Sequence, residues 1–322
     1  MEQRALGRSG LKVSRLGLGT MTWGRDTDEH ESADQLKAFL DAGGTLLDTA
    51  AGYGDGESER VIGGLLATVV DREEVVLATK AGSSRRTGDR VVDTSRRALL
   101  DALDGSLRRL GTDRVDLWQA HTWDDEVPLE ETLAAMDSAV ASGRTLYAGI
   151  SNYSGWQTGR AVTWQAAWPG RAPLVSTQME YSLVQRGIER EVLPCATALG
   201  LGVLPWSPLG RGVLTGKYRS GTPADSRAAS PHFAGFLERF MDERSRSIVD
   251  AVHTAAEGLD VSPVEVALVW VRDAPGVTAP IVGARTAAQL RGSLTSEGLT
   301  LPAEIRSALD DVSAPPCDYP ER

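Results

Sequence analysis

Short apolar runs alternate with longer amphipathic stretches along the whole chain. The runs are "SRLGLGT" (Ser14 to Thr20), "TLLDT" (Thr45 to Thr49), "VVLATK" (Val75 to Lys80) and "VDLWQAH" (Val115 to His121). They continue with "LYAGIS" (Leu146 to Ser151), "LVSTQ" (Leu174 to Gln178), "GVLPWS" (Gly202 to Ser207) and "TAPIVG" (Thr278 to Gly283). Helical patterns lie between them. In "DEHESADQLKAFLDAG", Ala33, Leu36, Phe39 and Leu40 fall at helical spacing and Gly43 is a stop. "SRRALLDALDGSLRRLG" places Leu99, Leu103, Leu107 and Leu110 in the same way and ends at Gly111, and "LEETLAAMDSAVASG" repeats the plan. Nearly all-apolar strands alternating with helices predict a parallel sheet covered by helices. Eight such units favour closure, so the expected fold is α/β, a single-domain (β/α)8 TIM barrel over 1–322 with an N-terminal β-hairpin.

The open-sheet dinucleotide fold makes a competing prediction that fails. Its fingerprint needs three glycines between a strand and a helix. Gly17 and Gly19 supply two, but the third place is Thr22. A phosphate P-loop fails as well: "GRGVLTGKY" has Gly216-Lys217, yet Arg211 holds the earlier glycine position and Tyr218 replaces Ser/Thr. One segment breaks the rhythm. From Ser207 to about Met241 the chain is rich in Gly, Pro, Ser and Arg, after the seventh strand. Loops of that length in compact domains are commonly functional, and in barrels those after strands seven and eight often bind phosphate.

In a barrel, chemistry gathers at the C-terminal strand ends. Those ends read Asp48, Lys80, His121, Ser151-Asn152, Gln178 and Trp206, with Tyr53 in the loop just after Asp48. Each has a bland reading: Asp48 as a turn cap, Tyr53 as a packing aromatic, Lys80 as a solvated cation, His121 as a structural histidine. Together they suit one task. A tyrosine is a reluctant acid, a lysine cation favours its phenolate, and a buried lysine needs a counter-charge such as Asp48. A histidine can orient a substrate oxygen. The set suits protonating an oxygen that becomes negative, as hydride addition to a carbonyl requires.

Composition narrows the partners. The chain has 322 residues with 41% hydrophobic and 24% charged, ordinary values for a globular protein with a sizeable core. A net charge of -10 argues against nucleic acid, and no apolar run approaches a membrane span. The start "MEQRALGRSG" has no signal-peptide character. Cys195 and Cys317 are therefore read as free thiols of a cytoplasmic protein. No His/Cys cluster has zinc spacing, so no structural metal is expected.

"LLDTAAGYG", "VVLATK", "DLWQAH", "GISNY" and "PWSPLGRGVLTGKY" resemble the aldo-keto reductase family, in its bacterial branch close to the potassium-channel β-subunit-like reductases. The likeness runs from "LGRSGLKVSRLGLGT" to "IVGARTAAQL", nearly the whole chain. It implies a barrel that uses NADPH without a Rossmann domain. It also implies a tetrad of Asp48, Tyr53, Lys80 and His121, with Tyr53 as general acid. Ser151, Asn152 and Gln178 would hold the nicotinamide carboxamide, with Trp206 stacked on the ring. Ser207, Leu209, Gly212 and Lys217 would follow the pyrophosphate, and Gly283, Arg285 and Gln289 the adenosine end. Thr20, Met21 and Asp48 would also touch the cofactor. Tyr53 and His121 would face the substrate, and Trp23 and Trp123 either line its pocket or pack on the rim.

The chain departs from the family at the adenosine end. Where many relatives have lysine-serine and a later arginine for a 2′-phosphate, it has Gly283-Ala284 and Gln289. A Glu-Asn pair that often meets adenine is Gly292-Ser293. Phosphate recognition would rest on Arg285, and NADH stands beside NADPH as the cofactor. The expected function is NAD(P)H-dependent reduction of an aldehyde or ketone. The first rival is a nicotinamide-binding sensor or regulatory subunit with little turnover. The second is a Schiff-base lyase using Lys80, disfavoured because a neighbouring carboxylate keeps that lysine charged.

Overall fold

The computed structural model describes residues 1–84, 91–218 and 240–316. Cys317 and the greater part of the segment after the seventh barrel strand lie outside them. All eight apolar runs become strands of one closed parallel barrel: β3 (Gly17–Gly19), β4 (Leu46–Asp48), β5 (Val76–Ala81), β8 (Val115–Ala120), β9 (Thr145–Ser151), β10 (Leu174–Glu180), β11 (Gly202–Trp206) and β12 (Ile281–Val282). Pairing of β9 with β10 and of β12 with β3 leaves no edge. The antiparallel hairpin of β1 (Gln3–Ala5) and β2 (Lys12–Ser14) precedes the barrel. A second small hairpin joins β6 (Ser83–Ser84) to β7 (Val91–Val92).

Helices follow the strands and start where the sequence offers caps. Asp28 caps α1 (Glu29–Asp41) and Ser95 caps α3 (Arg96–Leu110), each accepting a backbone N–H of the first turn. Gly111 ends α3 in the left-handed region, as its place in the pattern predicts. Between them lies α2 (Glu57–Thr68); α4 (Leu129–Ala141), α5 (Gly155–Ala166) and α6 (Val192–Leu199) complete the first six units. The helices Glu243–Leu259, Pro263–Arg272, Ala287–Leu294 and Ala303–Ser313 close the chain. Among the described residues no helix is long and apolar enough to cross a membrane.

The core has two layers because strand side chains alternate. Leu47, Leu77, Trp118, Ile150 and Val203 point outward into the cluster shared with the helices. Leu46, Ala78, Leu117, Leu204 and Ile281 point inward, where Leu6 and Val13 of the hairpin join them and plug one end. Burying each leucine or isoleucine is worth roughly 1.5–3 kcal/mol. The same alternation sets the chemistry. Two residues beyond Leu46, Ala78 and Leu204, on the same inward face, stand Asp48, Lys80 and Trp206. An apolar plug at one end thus implies a polar layer at the other.

Candidate active site

Asp48 and Lys80 face each other across the top of the barrel. Lys80 Nζ donates to Asp48 Oδ2 at 2.7 Å and to the Thr49 carbonyl at 2.8 Å. Both side chains are sealed, at 0% and 3% exposure. A buried pair of this kind holds only if its remaining hydrogen-bonding capacity is used. Gln178 Nε2 supplies it, donating to Asp48 Oδ1 at 2.7 Å. Ser151 Oγ in turn donates to the Gln178 carbonyl at 2.9 Å.

Tyr53 closes over this pair from the loop after β4. Lys80 Nζ lies 5.1 Å from its ring centroid. The His121 ring meets it edge-on at 5.9 Å and 80°. Burial pushes the Tyr53 phenol above its ordinary value; Lys80 draws it back and Asp48 adds to the rise. The lysine alone would make the phenol more acidic, but burial outweighs it, so Tyr53 is a protonated phenol at neutral pH. Burial lowers the Lys80 pKa, yet Asp48 and then Tyr53 more than reverse this, and the net shift is upward. Lys80 is therefore a fixed cation.

The loop carrying Tyr53 is held by α2. Gly54, Asp55 and Gly56 run through the left-handed region at φ 56°, 53° and 93°. A Cβ on Gly56 would lie 2.6 Å from Arg109 Cδ, so only glycine fits that turn. In the next helical turn Glu59, with no exposed surface, accepts from Thr79 Oγ1 at 2.6 Å and from Arg109 Nε at 2.7 Å. Ser58 Oγ lies 2.8 Å from Thr20 Oγ1 and 3.0 Å from Thr49 Oγ1. Helix α2 is thus fastened to residues adjoining Asp48 and Lys80, which fixes where Tyr53 emerges.

A cavity of about 690 Å³ opens from this floor. Asp48, Tyr53, His121, Ser151, Asn152, Gln178 and Trp206 line it, and so do Gly283, Arg285 and Gln289. Met21, Ser207, Leu209, Gly212 and Lys217 also line it. Asn152 ties the floor together: its Nδ2 donates to the His121 carbonyl at 2.9 Å, and its Oδ1 accepts from Trp206 Nε1 at 3.1 Å. Lys80 lies beneath Tyr53 rather than on the cavity wall.

Three residues expected to border the cavity lie away from its wall. Trp23 is fully buried and its Nε1 donates to Gln35 Oε1 at 3.0 Å, so it does not line a substrate pocket. Trp123 packs edge-on against Tyr153 and Trp156 at the rim and is not in the cavity wall. Thr20 is also sealed, with its hydroxyl against Asp48 O and Ser58 rather than the cavity. Two cations in the wall were not singled out from sequence, Arg25 and Arg211. Arg25 pairs with its neighbour Asp26, Nη2 to Oδ2, at 2.6 Å. Arg211 had one visible signal, a charge set between two glycines just past the seventh strand.

The cavity suits a long anionic ligand bearing a flat ring. Lys217 and Arg285 bring positive charge to it, Arg25 and Arg211 are matched by Asp26 and Glu180, and its carboxylate, Asp48, is engaged by Lys80. Gly212 sits at φ 97°, a conformation that a side chain would strain, so glycine suits that stretch of wall. These features fit a nicotinamide dinucleotide, whose reduced ring supplies hydride when bound.

Comparison with known proteins agrees. Residues 15–314 match the model of the aldo/keto reductase family. The chain is 38% identical to the uncharacterized oxidoreductase YrpG of Bacillus subtilis (strain 168), over 97% of this chain and 96% of the relative. It is 34% identical to L-glyceraldehyde 3-phosphate reductase of Escherichia coli O157:H7, over 96% and 92%. It is also 34% identical to a rice (Oryza sativa subsp. japonica) protein named as a probable voltage-gated potassium channel subunit beta, over 100% and 98%. An eight-stranded parallel barrel, a cavity suited to a dinucleotide and a match along nearly the whole chain lead to one assignment: this protein is an oxidoreductase enzyme of the aldo/keto reductase family, a family that reduces carbonyl groups with NAD(P)H.

Proposed function

We propose that the chain reduces an aldehyde or ketone to an alcohol with Tyr53 as the proton donor. The observation that carries this reading is the placement of Tyr53 on the cavity wall beside His121 and with its ring 5.1 Å from Lys80 Nζ, a lysine that is itself locked on Asp48. Hydride arriving at the carbonyl carbon breaks the C=O π bond and leaves charge on oxygen. Tyr53 gives its proton to that oxygen, forming the alcohol, and the resulting phenolate is stabilised by the Lys80 cation until solvent reprotonates it. His121, edge-on to Tyr53, orients the carbonyl oxygen toward the phenol. Asp48 keeps Lys80 charged and in place. Trp206 and Asn152 form the platform and edge for the nicotinamide, and Lys217 and Arg285 take its phosphates. NADPH is the proposed cofactor, with Arg285 at the adenosine end as the cation for a 2′-phosphate; NADH is the alternative.

The test is loss of reduced-cofactor absorbance with purified protein and a panel of aldehydes, wild type beside Tyr53→Phe. An activated aromatic aldehyde belongs in the panel. So does a small phosphorylated aldehyde, given the relative named for glyceraldehyde 3-phosphate. Turnover that drops by roughly 10²–10⁴-fold in Tyr53→Phe, with cofactor affinity unchanged, supports the reading. Cofactor binding without turnover in wild type would instead favour a sensor or regulatory subunit, the class suggested by the channel-subunit relatives. Tyr53→Phe retaining most of the rate would remove Tyr53 from the chemistry.

A further inference from the structure

We propose that Arg211, acting with Glu180, is a positioning residue that fixes the plane of Trp206 and thereby the face from which hydride leaves. This rests on the reading of Trp206 as the nicotinamide platform. Trp206 is the last residue of β11, and its register partner is Glu180, the last residue of β10. Five positions on, Arg211 takes the left-handed region at φ 58°, next to Gly212 at 97°. That turn folds the side chain back over the strand ends. Arg211 Nε and Nη2 then meet Glu180 Oε1 and Oε2 at 2.9 and 3.1 Å, a two-pronged pair with 10% and 12% exposure. From there the guanidinium carbon sits 5.5 Å from the Trp206 ring centroid and 5.7 Å from that of the buried Phe240.

Trp206 is thus held twice. Asn152 takes its Nε1–H at the edge, which fixes the ring in its own plane. Arg211 lies over the ring, which opposes tilting. An arginine does this better than a lysine because its planar fork is locked by the carboxylate while its cation stays within reach of the indole. A left-handed conformation at a non-glycine residue is disfavoured, so the site sustains local strain to bring this group back. Hydride transfer needs the donor ring placed to within a fraction of an ångström, and a misplacement of about 1 Å costs on the order of 10²-fold in rate. The effect proposed for the pair on hydride transfer runs through Trp206.

The experiment compares Arg211→Met, Arg211→Lys and Glu180→Gln with wild type and Trp206→Leu. The first readout needs no cofactor: the indole N–H resonance of Trp206 in nitrogen-labelled protein, assigned by its loss in Trp206→Leu. It is expected sharp and single in wild type, and broadened or split in Arg211→Met at unchanged melting temperature. The second uses reduced cofactor carrying deuterium on one or the other face of C4. Wild type transfers from one face, whereas Arg211→Met leaks from the other and loses roughly tenfold in kcat. Arg211→Lys and Glu180→Gln fall between, and they carry the test if Arg211→Met does not fold. A wild-type resonance, face selectivity and kcat in all three would overturn the proposal and leave the pair a tie between two strand ends. If Trp206→Leu itself binds cofactor normally and keeps face selectivity, the platform reading fails, and this proposal with it.

Discussion

At the floor of the cavity Asp48 and Lys80 stand on regular strands, sealed from solvent and bonded to each other and to Gln178. At its wall Ser207, Arg211 and Gly212 stand in a turn, with φ of 54°, 58° and 97°. Of the five non-glycine residues with positive φ among the described residues, Asn152, Ser207 and Arg211 border the cavity. The floor stores its energy in electrostatics and the wall in backbone conformation. A proton donor needs a constant local field, which a barrel gives by fixing strand ends. A ligand with several phosphates needs backbone N–H groups and cations aimed inward, which requires conformations that regular strands do not supply.

The largest expected break lies at the floor. Lys80→Met leaves Asp48 buried without its cation, and removing one partner of a buried pair costs about 3–5 kcal/mol. Urea unfolding at neutral pH should show that loss together with collapse of turnover. The gap should also depend on pH. The folded pKa of Lys80 lies above its unfolded value, so its contribution is complete below about pH 10.4 and is lost as pH rises through the folded pKa. Tyr53, also shifted upward by burial, loses stability in the same alkaline direction. Wild type and Lys80→Met should therefore begin to converge in stability above about pH 10.4 and meet once pH has passed the raised folded pKa of Lys80, because a neutral lysine leaves Asp48 as uncompensated as methionine does. A gap that stays constant to high pH would mean the pair is not what stabilises the floor.

A smaller break is expected at the wall. Gly216 sits at φ 75°, and a Cβ there would fall 1.7 Å from His253 Nε2. Gly216→Ala must displace either the ring or the turn that leads into Lys217, at about 1–3 kcal/mol. Cofactor affinity should fall roughly tenfold while kcat at saturating cofactor changes less than about twofold. Adding His253→Ala should recover only part of the loss, since it makes room but leaves alanine in a left-handed conformation. Loss of kcat with unchanged affinity would show that wall and floor are one unit and that the contrast drawn above is false.

The contrast also explains what was legible in the sequence. Eight apolar runs with helical stretches between them were enough for the barrel. Inward alternation from Leu46 to Asp48 and from Ala78 to Lys80 was enough to bring the pair together. The segment from Ser207 was recognisable as irregular, but its left-handed residues depend on contacts between distant elements. Arg211 acquires its place from Glu180, Trp206 and Phe240, and no local pattern ties any of them to it. Thr20 and Trp23 were misread for a related reason. Position after a strand end gives proximity to the mouth, whereas side-chain direction there is set by neighbours such as Ser58 and Gln35.

Trp23 provides the finest test of that distinction. Trp23→Phe keeps most of the apolar volume and removes the Nε1–H that Gln35 Oε1 accepts. Gln35 has no exposed surface, and its Nε2 is already without a partner, so the change strips the last side-chain hydrogen bond from a buried amide. The cost should be about 1–3 kcal/mol of stability. KM values across the aldehyde panel should stay within roughly twofold of wild type, because the ring does not border the cavity. The same exchange at Trp206 should act in the opposite sense, changing cofactor and substrate parameters with little effect on stability, since that ring is only half-buried. If Trp23→Phe shifted KM selectively for bulky aldehydes at unchanged stability, the indole would have to reach the substrate through a conformation other than this one. The division between residues that shape the cavity and residues that hold its frame would then have to be redrawn at the first strand.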